Sequence, residues 1–205
     1  MILPACRGAT VIVPPKRVFV EVLPPKSTWI SERTKTKPPL PTTKKLGVEA
    51  IAGAIPGIDL GDRQFELITL RGSLPNLPEP RKTFAALRAV AAPDALLIAN
   101  AFNAAGLMAR WCGPRWLGYD LPRQRCHYTP ETLTRLLEST GWKPIRLVHR
   151  RRPNLGRRNV RIMAITTGRK SWKRLAANRW LVGLVTHYAT WTRQSDDICV
   201  VARPA

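Results

Sequence analysis

The 205-residue chain carries 34 Lys and Arg against 13 Asp and Glu, a formal charge of +21, and 44% of it is hydrophobic. That is enough apolar material for one good-sized domain with a real core, yet no apolar run reaches the roughly 18 to 20 residues that a membrane span requires. Four cysteines, Cys6, Cys112, Cys126 and Cys199, stand far apart without Cys-x-x-Cys spacing. They signal neither a zinc site nor a disulfide framework, so no metal is expected and a reducing, cytoplasmic setting fits best.

The charge is unevenly placed. Residues 1–45 hold nine Lys and Arg against two acids, and 143–194 hold fourteen against none, whereas 46–142 hold ten against nine. The excess belongs to the two ends, and the middle reads as an ordinary globular surface. Such basic regions favour nucleic acid, anionic lipid or acidic partners by long-range attraction, and composition does not choose among them.

In chain order, residues 1–45 contain the pairs Pro14-Pro15, Pro24-Pro25 and Pro38-Pro39. That density forbids long helices and leaves one strand, Arg17–Leu23, in an extended and poorly ordered basic leader. From Leu46 the texture changes. Gly47–Ile51 and Phe65–Leu70 read as strands, Glu79–Ala91 as a helix with Phe84, Leu87 and Val90 on one side, and Ala95–Ala99 as a buried strand. Strand, helix, strand at this spacing predicts a parallel sheet with crossover helices.

The stretch Cys126-His-Tyr-Thr-Pro-Glu-Thr-Leu-Thr-Arg-Leu-Leu-Glu-Ser-Thr-Gly-Trp142 predicts the next helix. Thr129 is its N-cap, Pro130 its first helical residue, Glu131 complements the helix dipole, and Gly141 ends it. Leu133, Leu136 and Leu137 form the apolar stripe. Lys143–His149 and Asp197–Ala202 read as strands. Between them, Arg150–Arg158 is a solvated charge run or a phosphate-gripping loop, and Ser171–Thr192 is a helix with Trp172, Trp180, Leu181, Leu184, Tyr188 and Trp191 on one face. That face packs on its own domain, on a second copy, or on an anionic membrane surface. No internal repeat is visible.

The segment Gly-Tyr-Asp-Leu-Pro-Arg, followed after two residues by Cys-His-Tyr-Thr-Pro-Glu-Thr-Leu, Leu-Leu and Gly-Trp, resembles a motif of bacterial class I S-adenosylmethionine-dependent methyltransferases. Residues 65–100 look like that family's fourth strand, its helix and fifth strand, and Ser195–Ala205 like its closing strand. The resemblance covers roughly residues 46–205. It implies an α/β fold: an incomplete Rossmann-like methyltransferase sheet with flanking helices, a domain at 46–205, and a Pro-rich basic extension at 1–45. The cofactor implied is S-adenosyl-L-methionine, held at the carboxyl ends of the first strands.

By the same resemblance, Gly53, Ala54, Leu70 and Arg71 stand at cofactor-binding positions, while Asp120, Arg123 and Tyr128 stand on the acceptor side. His127 is the candidate catalytic base, or a histidine that orients the loop above its helix. The Cys126-His127 pair alone is weak as a metal or nucleophile signature. Several family features are missing: the acidic Gly-rich turn is absent from 1–45, Gly53-Ala54 stands where Gly-Asp is common, and Leu74-Pro75-Asn76 replaces Leu-Glu-His. The first half of an ancestral domain is thus replaced or misread, or a diverged extension serves for binding. The implied function is methyl transfer to an unidentified small-molecule, lipid or glycan acceptor, impaired by the lost cofactor loop. The alternative is a non-catalytic basic module that binds nucleic acid or touches a membrane peripherally.

Overall fold

The computed structural model describes residues 9–13, 19–23, 49–53, 55, 57, 62–121 and 124–205. Expectations for the rest of the Pro-rich leader, and for Ala54 and Arg123, lie outside them. The strands are β1 (Ala9–Val13), β2 (Phe19–Leu23), β3 (Glu49–Gly53), β4 (Phe65–Leu70), β5 (Ala91–Phe102), β6 (Trp142–Arg150) and β7 (Asp197–Pro204). They form one sheet in the order β3-β1-β2-β4-β5-β7-β6. The helices are α1 (Pro80–Ala89), α2 (Leu107–Cys112), α3 (Pro130–Glu138), α4 (Pro153–Thr167), α5 (Lys170–Ala177) and α6 (Arg179–Trp191).

The mixed α/β architecture follows the expected order of elements. The strand expected at 17–23 forms as β2, and Ala9–Val13 adds a second strand to the leader. β1 runs antiparallel to both β2 and β3, whereas β2 pairs parallel with β4, and β4 with β5. β3, β2, β4 and β5 therefore point one way, and β1 is reversed. The reason is chain length: only residues 14–18 join β1 to β2, and a parallel crossover needs a dozen or more residues.

Two expectations are corrected. The charged run at Arg150–Arg158 is not a loop, because α4 begins at Pro153, whose missing N–H costs nothing at a first helical position. The helix expected over 171–192 is two helices. Asn178 has an extended backbone, and its side-chain oxygen accepts from the N–H groups of Trp180 (3.0 Å) and Leu181 (3.2 Å), capping α6 as α5 ends.

The chain divides into two compact units, residues 1–99, 134–146 and 200–205 in the first, and 100–133 and 147–199 in the second. In the first, Phe65, Ile68 and Leu70 of β4, Phe84 and Leu87 of α1, and Trp142 are all fully enclosed. The Trp142 indole donates to the Phe84 carbonyl at 3.0 Å, and the Thr83 hydroxyl to the Ile55 carbonyl at 2.8 Å, so both buried acceptors are satisfied. Gly141 ends α3 at φ +80°, a conformation that a Cβ would strain, and its carbonyl receives both Arg88 Nε and the Ala205 N–H.

The second unit packs Met108, Cys112 and Trp116 against Val160, Met163 and Val182. Here α4 and α6 touch closely, since a Cβ on Gly156 would lie 2.6 Å from Thr186 Cγ2. Only a glycine permits that approach. The N-cap of α3 is reciprocal: the Thr132 N–H donates to Thr129 Oγ1 (3.2 Å), and the Thr129 N–H to Thr132 Oγ1 (2.8 Å).

Trp142→Phe removes the indole hydrogen bond and leaves a gap at a fully enclosed position, and is expected to lower unfolding stability by about 1–3 kcal/mol, and Thr129→Ala by about 1 kcal/mol. Denaturant midpoints check both, and an unchanged midpoint for either variant would remove the interaction assigned to it.

Candidate functional site

In the first unit, the sequence-predicted residues Gly53 and Leu70 close β3 and β4, strands of the same direction, so both stand at the carboxyl edge of the sheet. Ligands of open α/β sheets sit at such an edge. Leu70 is buried and pairs with Val22 and Ala99, and Arg71 follows it on the surface. From β3 to β4 is three strand steps, about 14 Å by ordinary strand spacing. Because β1 is reversed, its first residue rather than its last reaches this edge, and Ala9 pairs with Gly53 there.

In the second unit, the end of β5 and the segment before α3 are bridged at Asn103 and Tyr128, with the Ala104 N–H donating to the Tyr128 carbonyl at 2.8 Å. His127, next to the bridge, is half-buried and meets Tyr119 edge-on with ring centroids 5.1 Å apart. Tyr119 in turn meets Trp116 at 5.2 Å, and Trp116 meets Phe102 at 6.2 Å. The imidazole is therefore the outer member of an aromatic row rooted in the unit's core. Asp120 lies in the same loop with φ +37°, a left-handed backbone that aspartate tolerates better than most residues. Tyr128 is buried, and its hydroxyl is pushed well above the usual phenol range by desolvation and by the Cys126 thiol beside it. It stays protonated.

The structure adds residues that spacing alone does not reveal. Asn103 is buried; its side-chain amide donates to the Ser195 carbonyl at 2.9 Å and its side-chain oxygen accepts the Ala105 N–H at 3.0 Å. Its backbone N–H donates to the Asp196 carbonyl at 2.9 Å. Asp196 is buried beside Gly106, and its Oδ1 has no hydrogen-bond partner among the described residues. Desolvation pushes its carboxyl up to about 7, against the pull of a hydrogen bond from the Met108 N–H, and Asp197 adds to the rise. Burial and Asp196 together push the Cys112 thiol up to about 11, which makes it a poor nucleophile.

Asp197 is enclosed as well, but it is paired, with Arg152 Nε at 3.0 Å and Arg150 Nε at 3.6 Å. Burial still raises its carboxyl, and the two guanidinium groups oppose that. His149 Nδ1 lies 3.2 Å from Ser195 Oγ. The serine proton is committed to the Asp197 carbonyl at 2.9 Å, so the imidazole donates to the serine. This is a structural contact and not a nucleophile with its base. Burial and Arg193 hold His149 below the ordinary imidazole range, with Glu131 opposing. Among the described residues, no three His, Cys, Asp or Glu side chains converge to hold a metal ion.

A family model described as a methyltransferase domain matches residues 15–147. The match opens ahead of β2, in the stretch read from sequence as leader. No curated protein matches the chain. Among solved structures, OxaC in complex with sinefungin and meleagrin is 13% identical with a TM-score of 0.50, over 92% of this chain and 36% of that one. An S-adenosylmethionine-dependent methyltransferase from Thermotoga maritima is 10% identical at 0.49, over 80% and 67%. The mitomycin 7-O-methyltransferase MmcR is 9% identical at 0.41, over 71% and 31%. The chain spans 26% to 55% of the length of the first four structures it matches. The OxaC likeness bears on fold alone.

Asp196 makes the second unit's stability depend on pH. Its native carboxyl keeps a proton to about 7, whereas the unfolded one releases it near 3.8. The contribution is therefore full below about pH 4 and is lost as pH rises to about 7. Asp196→Asn should match wild type in acid and exceed it by up to about 4 kcal/mol above neutrality. Unfolding free energies at about pH 5 and pH 8 check this, and a difference that does not grow with pH would assign the carboxyl another environment.

Proposed function

The chain belongs to the methyltransferase-domain family of class I S-adenosylmethionine-dependent enzymes, and from that premise we propose that it is a methyltransferase homologue with a weakened cofactor site. The observation that carries the proposal is the reversed β1. In the family, the turn after the first strand lends backbone N–H groups to the cofactor, and the end of the second strand lends a carboxylate to its ribose. Here the residues after β2 are Pro24-Pro25, which have no N–H, and the strand end beside Gly53 is Ala9, which has no carboxylate. Gly53 is followed by Ala54 and Leu70 by Arg71, so neither position offers an acid to the adenine or ribose. These residues do not fit the cofactor as the family holds it.

Each charge-assisted hydrogen bond removed costs about 1.5–3 kcal/mol, so losing two weakens binding by roughly two to four orders of magnitude. The acceptor side keeps more of the pattern. His127 on its aromatic row, with Asp120 and Tyr128, is proposed to contact the acceptor, His127 as a base only for an acceptor that must lose a proton. The acceptor itself is proposed no further than a small molecule, lipid or glycan.

Calorimetric titration of the full chain with S-adenosylmethionine tests this reading. Saturable binding is expected, about a hundredfold or more weaker than for an intact family member titrated alongside, and His127→Ala should leave that affinity unchanged. Equal affinity would overturn the weakening, no binding by a cooperatively melting protein would overturn the methyltransferase reading, and a lost affinity in the variant would move His127 to the cofactor side.

A further inference from the structure

Helix α6, Arg-Trp-Leu-Val-Gly-Leu-Val-Thr-His-Tyr-Ala-Thr-Trp, is apolar on two opposite faces. Val182, Thr186 and Ala189 form the inner face, buried against the unit's core and held close by Gly156. Trp180, Leu184, Tyr188 and Trp191, at i, i+4, i+8 and i+11, form the outer stripe, and they are 79%, 65%, 53% and 79% exposed. An amphipathic surface helix hides one face and wets the other. This one leaves two indoles, a phenol and a leucine in water, an exposed patch of the kind that marks an interaction surface.

The stripe borders a groove of about 380 Å³ between the starts of α4 and α6, lined by Arg151, Arg157, Arg179 and His187 together with Trp180 and Leu184. Arg151 is tied down, donating to the Gly183 carbonyl at 3.1 Å, and Arg157 donates to Asn154. No acid occurs anywhere from residue 143 to 194. The occupant must therefore bring both negative charge and an apolar interior. A second copy would set the same arginines against each other, and the chain's own residues 1–45, with nine Lys and Arg against two acids, carry the same sign. A nucleic acid offers charge and stacking but nothing into which Leu184 can sink.

We propose that α6 and the groove beside it dock on an anionic phospholipid surface, with Trp180, Leu184, Tyr188 and Trp191 at the headgroup–acyl boundary and Arg151, Arg157 and Arg179 on lipid phosphates. Indole and phenol rings prefer that boundary, and basic residues near it add attraction to anionic headgroups. Thirteen helical residues span about 20 Å, too short to cross about 30 Å of hydrocarbon, and no helix among the described residues is long and apolar enough to do so. The helix lies on the membrane plane. This inference stands apart from cofactor binding, which the titration above reads by itself.

The experiment is co-sedimentation of the full chain with phosphatidylcholine vesicles, with and without phosphatidylglycerol. Binding is expected only with phosphatidylglycerol and should weaken as salt rises. Both Trp180→Ser with Trp191→Ser, and Arg157→Glu with Arg179→Glu, should lower the vesicle partition coefficient by about tenfold or more, with circular dichroism unchanged. Acyl-brominated phosphatidylglycerol should quench the wild-type tryptophan fluorescence, a readout that needs no variant. Equal binding to both vesicles, absence of quenching, displacement from vesicles by single-stranded oligonucleotide, or a dimer that loses its contact in the tryptophan variant would each overturn the proposal.

Discussion

The second unit depends on one buried amide. Asn103 follows β5 directly, with a side chain that donates to Ser195 and accepts from Ala105, while its backbone N–H holds the Asp196 carbonyl. Three chain segments, 102–106, 127–129 and 194–197, take their positions from this residue and its bridge to Tyr128. Without the side chain, a buried carbonyl and a backbone N–H would lose their partners at about 1–3 kcal/mol each. The same tie fixes the unpaired Asp196, the ion-paired Asp197 and the aromatic row that ends at His127, so site geometry and fold stability are not separable here.

The first unit shows how a short connection changes chemistry. Five residues between β1 and β2 compel a hairpin where a parallel sheet would have a crossover helix. The hairpin still covers the edge of β4, because β2 pairs with it along Phe19–Val22, so the sheet keeps seven strands without an open edge at that place. What it changes is the strand end at the ligand edge, where the first residue of β1, Ala9, stands beside Gly53. Sheet continuity survives the exchange, while the direction of one strand at the ligand edge does not.

Much of this was legible in the residues. Thr129, Pro130 and Gly141 punctuate α3 by local chemistry, and the apolar periods of α1, β4 and β7 are unbroken, so those elements stand where the sequence places them. α4 was hidden for a physical reason: its buried positions include Gly156 and Asn159 beside Arg157, Arg158 and Arg161, so no apolar stripe announces the start of the inner face although i, i+3, i+4 burial is present. Asn159 earns its place by accepting the Leu117 N–H at 2.9 Å, a contact 42 residues away. The break at Asn178 was masked because Trp172, Trp180 and Leu184 keep a helical spacing across it. His127 and Tyr128 were visible through their motif, whereas Asn103 and Asp196 gain their roles from partners some 90 residues distant, which no local pattern encodes.

Charge placement in the second unit separates folding from surface attraction. Its residues hold sixteen Lys and Arg and four acids, and two of the four, Asp196 and Asp197, are buried. Asp197 is committed to Arg152 and Arg150, and Asp196 is held to a proton up to about 7. Neither reduces the field of the arginines on α4, α5 and α6. Self-repulsion among those arginines opposes the compact state and is relieved only by counter-charge within a Debye length, about 8 Å at physiological salt. A field of one sign beside an uncovered aromatic stripe is thus a costly surface in isolation, and its cost falls when an anionic, apolar phase lies against it.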